Sequence, residues 1–171
     1  MSIIIVKMGI TDADTDAIVN AANEGLQAGN GVCGAIFKEA GHDEMQRACD
    51  AIGGCKTGSA VITPGFALKA RYVIHAVGPR WRGGVRGEAE LLASCYEKSI
   101  DLAVENGCAS IAFPLISSGI FGYPKEEAWR VALTACEKAL SKHGDSAPDV
   151  TFCVLGEDSY ALGSKVLREI H

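Results

Sequence analysis

NAANEGLQAGNGVCGAIFKEAG, Asn20 to Gly41, packs five glycines, three asparagines and one cysteine between a short apolar run and a helical pattern. The run before it, Ala17-Ile18-Val19, reads as a strand. From Gly31 onward Val32, Ala35, Ile36 and Phe37 cluster toward one side, which predicts a helix over Gly31–Ala40. A strand, a loop of small residues and a helix make a βα unit. Small residues let the backbone approach a ligand closely, and the N–H groups at a helix start attract anions. Gly29-Asn30-Gly31-Val32-Cys33-Gly34 also matches G-x-G-x-x-G. That dinucleotide fingerprint follows its strand at once. Here the strand ends at Val19, well before Gly29, so the Rossmann reading fails on context.

Outward from this unit, strands and helices alternate. Ile3–Val6, Ala60–Thr63, Tyr72–Val77, Ser110–Phe113 and Val150–Leu155 read as strands, with a Pro64-Gly65 turn between the second and third. Helices are expected at His42–Ala51, Glu88–Glu105, Lys125–Lys142 and Asp158–Ile170. Leu92, Cys95, Tyr96, Ser99, Leu102 and Ala103 share one helical face, and Asn106-Gly107 stops that helix. The alternation predicts an α/β domain whose mostly parallel sheet is covered on both faces. With 171 residues and no Ser- or Pro-rich linker, a single domain over residues 1–171 is expected.

Ligands of open α/β sheets bind beyond the carboxyl ends of the strands. A second loop leaves a strand in that direction, Pro114-Leu-Ile-Ser-Ser-Gly-Ile-Phe-Gly-Tyr-Pro124, and it too precedes a helix. Two such loops on one rim suit a diphosphate. The formal net charge of -5 argues against a basic surface for nucleic acid, so bound phosphate is expected to rest on backbone N–H groups. Seven cysteines without a CxxC pair, and scattered histidines, predict neither a zinc site nor another cofactor. The N-terminal Met1-Ser-Ile-Ile-Ile-Val-Lys7 reads as a strand and not a signal peptide, and no apolar run is long enough to span a membrane. Free thiols in apolar patterns point to a reducing cytoplasm. A monomer with no nucleic-acid or membrane partner is expected.

Asp16-Ala-Ile-Val-Asn-Ala-Ala-Asn23, the glycine loop, Tyr72-Val-Ile-His-Ala-Val-Gly-Pro79 and Phe113-Pro-Leu-Ile-Ser-Ser-Gly-Ile-Phe-Gly-Tyr-Pro124 together resemble the macrodomain family, closest to its MacroD-type branch. The resemblance runs in order along essentially the whole chain. It implies a three-layer α/β/α sandwich with a mixed, mostly parallel sheet that binds ADP-ribose or ADP-ribosylated protein. It also implies hydrolysis of mono-ADP-ribose from acidic side chains, or deacetylation of O-acetyl-ADP-ribose. By this resemblance Ser117, Ser118, Gly119, Ile120, Phe121 and Gly122 wrap the diphosphate, and Gly29, Asn30, Gly31, Val32 and Cys33 face it. Asn20 and Asn23 both contact the ligand, Asn23 holding the distal ribose, Phe121 covers that ribose, and the Ile10 backbone reaches the adenine.

Three positions depart from the family pattern. Gly9 stands where the family's adenine-binding Asp is usual, with Asp12 the carboxylate that could compensate. Leu155 stands where an aromatic residue usually stacks on adenine. Cys33 replaces the Asp that helps position the attacking water. A thiol there is either a nucleophile activated by the helix start or one member of the buried stripe Cys33, Ile36, Phe37 and Ala40. Some relatives, viral macrodomains among them, resemble this chain in lacking the Asp and still cleave, the substrate's own phosphate helping to orient water. Glu24 is a possible base or a solvated loop carboxylate. His75, Trp81 and Trp129 read as structural. Two further readings remain open beside the hydrolase: a non-catalytic ADP-ribose module, and a pocket retuned for another nucleotide.

Overall fold

The computed structural model describes residues 2–171. Its strands are β1 (Ile3–Lys7), β2 (Ala17–Ala21), β3 (Ala60–Pro64), β4 (Tyr72–Ala76), β5 (Ser110–Phe113) and β6 (Asp149–Val154). Its helices are α1 (Gly31–Ala40), α2 (His42–Ile52), α3 (Glu88–Glu105), α4 (Lys125–His143) and α5 (Glu157–Ile170). Short 3-10 turns occupy Ile10–Asp12 and Gly144–Ser146. The strand order is β1-β6-β5-β2-β4-β3. All neighbours pair in parallel except β3, which runs antiparallel to β4 at the edge. The expected elements are present, with ends shifted by one or two residues. The largest shift is β2, which continues through Asn20 to Ala21.

The sheet separates two apolar clusters, because alternate side chains of each strand point to opposite faces. On one face Ala17 and Val19 of β2 and Ile74 of β4 meet α3 and α4. The center of this layer is aromatic. The ring centroids of Tyr96 and Phe113 lie 5.0 Å apart, and Phe152 sits 5.5 Å from Phe113 and 5.3 Å from Trp129. Each fully buried side chain of this kind contributes about 1.5–3 kcal/mol. Tyr96 pairs its polar tip by accepting the Ile116 N–H at 2.9 Å, which anchors the loop after β5. On the other face Ile18, Val73 and Val77 meet Ile36 and Phe37 of α1 and Met45 and Cys49 of α2.

Parallel strands deliver their carboxyl ends to one edge. The segments after β1, β2, β4, β5 and β6 therefore share a rim, and both glycine-rich loops lie on it. β4 and β5 flank β2, so the loop after β2 stands between the other two.

Gly163 in α5 tests how tightly the outer helix seats. Alanine is favoured over glycine in a helix by about 1 kcal/mol. A Cβ at Gly163 would, however, lie 2.6 Å from Cε2 and Cζ2 of the buried Trp129 ring. Overpacking of this kind costs about 1–3 kcal/mol, so Gly163→Ala is expected to lower the urea midpoint. A raised midpoint would show that Trp129 moves aside freely.

Candidate functional site

Beneath the rim lies a buried polar chain that joins three strands. Asn20 on β2 stands opposite His75 on β4, and its Nδ2 donates to His75 Nδ1 at 3.1 Å. The His75 proton is then on Nε2, which lies 3.0 Å from Thr63 Oγ1 on β3. Thr63 in turn donates to the Pro64 carbonyl at 3.1 Å. Asn20 Nδ2 also reaches Cys33 Sγ at 3.6 Å, and Cys33 donates to the Gln27 carbonyl at 3.6 Å. Asn20 is 1% exposed and His75 is fully buried. Its amide nitrogen is spent below the loop, where it braces Cys33 and the β2–α1 connection, while its buried Oδ1 has no hydrogen-bond partner among the described residues. His75 is structural, as the sequence suggested.

Cys33 packs in the buried stripe of α1. Burial raises its thiol pKa above the ordinary value, against lowering contributions from Asn20 and the Gly29 backbone. The sequence argument that a helix start would depress it is overturned by desolvation, since Cys33 is 6% exposed within the α1 stripe. Glu24 is not a free base. Its carboxylate accepts both the N–H and the hydroxyl of Thr57 at 3.1 Å, and its carbonyl accepts the Cys55 N–H at 2.9 Å.

Asn23 occupies the rim itself. Its Nδ2 donates to the Gln27 carbonyl at 2.8 Å and its Oδ1 accepts the Gln27 N–H at 2.9 Å. This double clamp holds the amide in one orientation and folds the turn in which Leu26 takes a positive φ of 55°. One further N–H and acceptor capacity on the oxygen remain for a ligand. The following helix begins without a cap. Asn30 is a residue type that usually caps, yet its side chain makes no capping bond. The N–H groups of Gly31, Val32 and Cys33 find no acceptor among the described residues. The other four helices each carry two acidic residues in the first turn, and α1 carries none.

On the neighbouring loop the N–H groups of Gly119, Ile120 and Phe121 are also without an acceptor among the described residues, while Gly122 N–H bonds Gly119 O at 3.0 Å. Ser118 closes on Leu115 O through its hydroxyl at 2.8 Å. Ser117 takes a positive φ of 67° and is buried. Its hydroxyl sits where a Cβ on Gly78 would be, 2.3 Å away, so only glycine lets the β4 and β5 loops meet. The rim thus holds two sets of unpaired backbone donors, the arrangement that binds anions. After β1, Ile10 buries its side chain, leaving only its backbone to a ligand. A Cβ on Gly9 would lie 3.6 Å from Asp12 Oδ2, so a carboxylate does stand beside that position. Leu155, just past β6, is 82% exposed.

A cleft of about 580 Å³ opens beside Asn23. Asn23 and Phe121 both line it, together with Glu24, Thr57, Arg80, Arg82 and Arg86. Gly29 and Asn30 instead border a separate depression with Phe37, Lys38 and His42. Sequence reasoning had passed over the arginine loop, Gly78-Pro-Arg-Trp-Arg-Gly-Gly-Val-Arg-Gly87. Its signal was three cations and four glycines ahead of a helix in an acidic chain. The loop is wrapped around Glu88. That buried carboxylate accepts the N–H groups of Arg82 at 2.8 Å, Gly84 at 2.9 Å and Arg86 at 2.6 Å. Desolvation works against its charge, but these backbone donors outweigh it and hold its pKa below the ordinary value.

Comparison with known proteins places the chain. The family model described as Macro domain matches residues 19–132, and the chain belongs to the macro domain family. A macro domain-containing protein of Chlorobaculum tepidum is 48% identical over 95% of this chain and 93% of its own length. The ADP-ribose glycohydrolase MACROD2 of Xenopus laevis is 46% identical over 95% of this chain, which spans 39% of that longer protein. Among solved structures, a Trypanosoma brucei macrodomain in complex with ADP-ribose is similar at a TM-score of 0.88 and 38% identity, over 96% of this chain and 68% of that one. No helix among the described residues is long and apolar enough to cross a membrane.

Burial lowers the His75 pKa from 6.5 to about 4. Between those values the unfolded chain binds a proton that the folded chain refuses, so stability rises with pH across this window. The contribution is complete above pH 6.5 and is lost as the pH falls toward 4, roughly 3 kcal/mol in all. Urea midpoints measured from pH 7 to 4 should fall with that profile. A midpoint unchanged between pH 6.5 and 5 would contradict a neutral, buried His75.

Proposed function

We propose that the chain binds ADP-ribose and hydrolyses the ester at the distal ribose of mono-ADP-ribosylated proteins or of O-acetyl-ADP-ribose. The observation that carries the binding is the pair of unpaired donor sets, Gly31–Cys33 at the uncapped α1 and Gly119–Phe121 on the adjacent loop. Two donor sets on loops that share a rim suit a ligand with two anionic groups, as in a diphosphate. The ribose beyond then falls at Asn23 and Phe121, in the cleft. The named relative MACROD2, a glycohydrolase, supports hydrolysis at that end.

No side chain at Asn23 has the character of a strong base, so the chemistry assigned here is positioning. Asn23, fixed by Gln27, orients the ribose, and backbone donors hold the charge of the diphosphate without reorganising. For the protein conjugate, water adds at C1″, the carboxylate leaves with the electron pair of the C1″–O bond, and water's proton passes to solvent. For O-acetyl-ADP-ribose, water adds to the acetyl carbonyl, the ribose oxygen leaves with the C–O electron pair and takes up a proton, and acetate is released. The same shortage of a base favours a second reading, a binding module without turnover, in which the bound Glu24 and buried Cys33 are simply loop supports.

Calorimetric titration with ADP-ribose should give a Kd in roughly the micromolar range, with ADP and a second nucleotide sugar as controls. Absence of binding would sink both readings. Turnover of a protein carrying a mono-ADP-ribosyl ester is expected, and Asn23→Ala should reduce it on the order of 10²-fold. Binding without turnover selects the module.

A further inference from the structure

The cleft beside Asn23 is lined by three arginines and two carboxylates, Glu24 and Glu88, in a protein whose net charge is -5. Arg80, Arg82 and Arg86 all line it, and all are exposed. Among the described residues the arginines in ion pairs are Arg71 and Arg130, so these three guanidiniums have no carboxylate partner. Glu88, the nearest acid in sequence, faces the backbone of their loop and is saturated by three N–H groups. The loop is further pinned by the Trp81 N–H on Phe121 O at 2.8 Å. Arg80 lies over the Phe121 ring, 4.5 Å from its centroid. A rigid backbone therefore presents three unneutralised side chains beside Asn23.

We infer that this loop is the docking site for the polypeptide of an ADP-ribosylated protein, and that it selects acidic residues flanking the modified one. The inference rests on the reading of the site given above. If Asn23 holds the distal ribose, whatever is joined to that sugar emerges into the cleft. A carboxyl group esterified to ribose has lost its charge, so the arginines cannot be recruiting the modified side chain itself. The acetyl ester of O-acetyl-ADP-ribose is neutral as well and offers them nothing. Carboxylates on neighbouring residues do match. Guanidinium groups bind them through paired donors, and a partly enclosed cleft strengthens the attraction over that on open surface. A nucleic-acid strand fits less well, since it needs a longer track of cations than one loop in an acidic protein supplies.

Two conjugates test this. Each carries ADP-ribose on the central residue of the same short peptide through a hydrolysis-resistant linkage, one with Asp and Glu flanks and one with Asn and Gln. Affinities are measured by fluorescence polarisation beside free ADP-ribose. The acidic conjugate is expected to bind about tenfold more tightly at low salt, and the ratio should shrink toward one in 0.5 M salt, where the Debye length is about 4 Å against about 30 Å at 0.01 M. In the double variant Arg82→Gln and Arg86→Gln the ratio should collapse. These side chains leave the Glu88 contacts, which are made by backbone, in place. Equal binding of the two conjugates by the wild type, or an acidic preference that survives in the variant, overturns the proposal. So does a single-stranded oligonucleotide that displaces the acidic conjugate more effectively than the unmodified acidic peptide. If free ADP-ribose itself fails to bind, the reading of the pocket falls and the docking proposal falls with it. If ADP-ribose binds and the ratio is one, only the docking proposal falls.

Discussion

Parallel pairing is the constraint from which the site follows. A parallel strand must return across a helix before it can add to the sheet, so every such crossover sends its loop to the same edge. With β4 and β5 on either side of β2, three loops crowd together there. Their close approach depends on missing side chains, most plainly at Gly78 against Ser117. Crowded backbone at the ends of strands cannot all find partners within the fold. The unpaired N–H groups of α1 and of Gly119–Phe121 are the residue of that geometry, and they face a rim where water or an anion can satisfy them.

The fold was largely legible because its signals are local and periodic. The stripe Cys33, Ile36, Phe37 and Ala40 marked the buried side of α1, and Asn106-Gly107 marked the end of α3. Loop chemistry was less legible, because it depends on who meets whom. Asn20 and Asn23 are alike in sequence and three positions apart, yet one is buried against His75 and the other is clamped at the surface. Alternation along β2 would separate their faces, but the partners of each come from elsewhere in the chain or from turn geometry. The Cys33 thiol depended on a balance between a helix start and burial, and only the packing of α1 on the sheet decides it. Glu88 was the largest surprise. An acid in the first turn of a helix ordinarily faces solvent, and nothing in its own sequence position says that three backbone donors will fold around it.

The two ends of the rim use opposite kinds of positive charge. At the start of α1 and on the loop after β5 the donors are backbone groups, fixed in place and carrying only partial charge. At the cleft end they are guanidiniums on long side chains, fully charged and adaptable, mounted on a backbone held by a buried carboxylate. The first kind suits one small ligand of constant shape. The second suits partners that vary in sequence while sharing a sign.

The uncapped start of α1 also bears on how long the protein lasts. A helix whose first N–H groups lack acceptors forgoes the ~1 kcal/mol that a capping side chain typically adds. An anion that fills this place binds the folded chain and not the unfolded one, and mass action then raises stability, by about 2.7 kcal/mol at a hundred times its Kd. Ligand bound there would tie survival against proteases that act on the unfolded chain to how much ligand surrounds it.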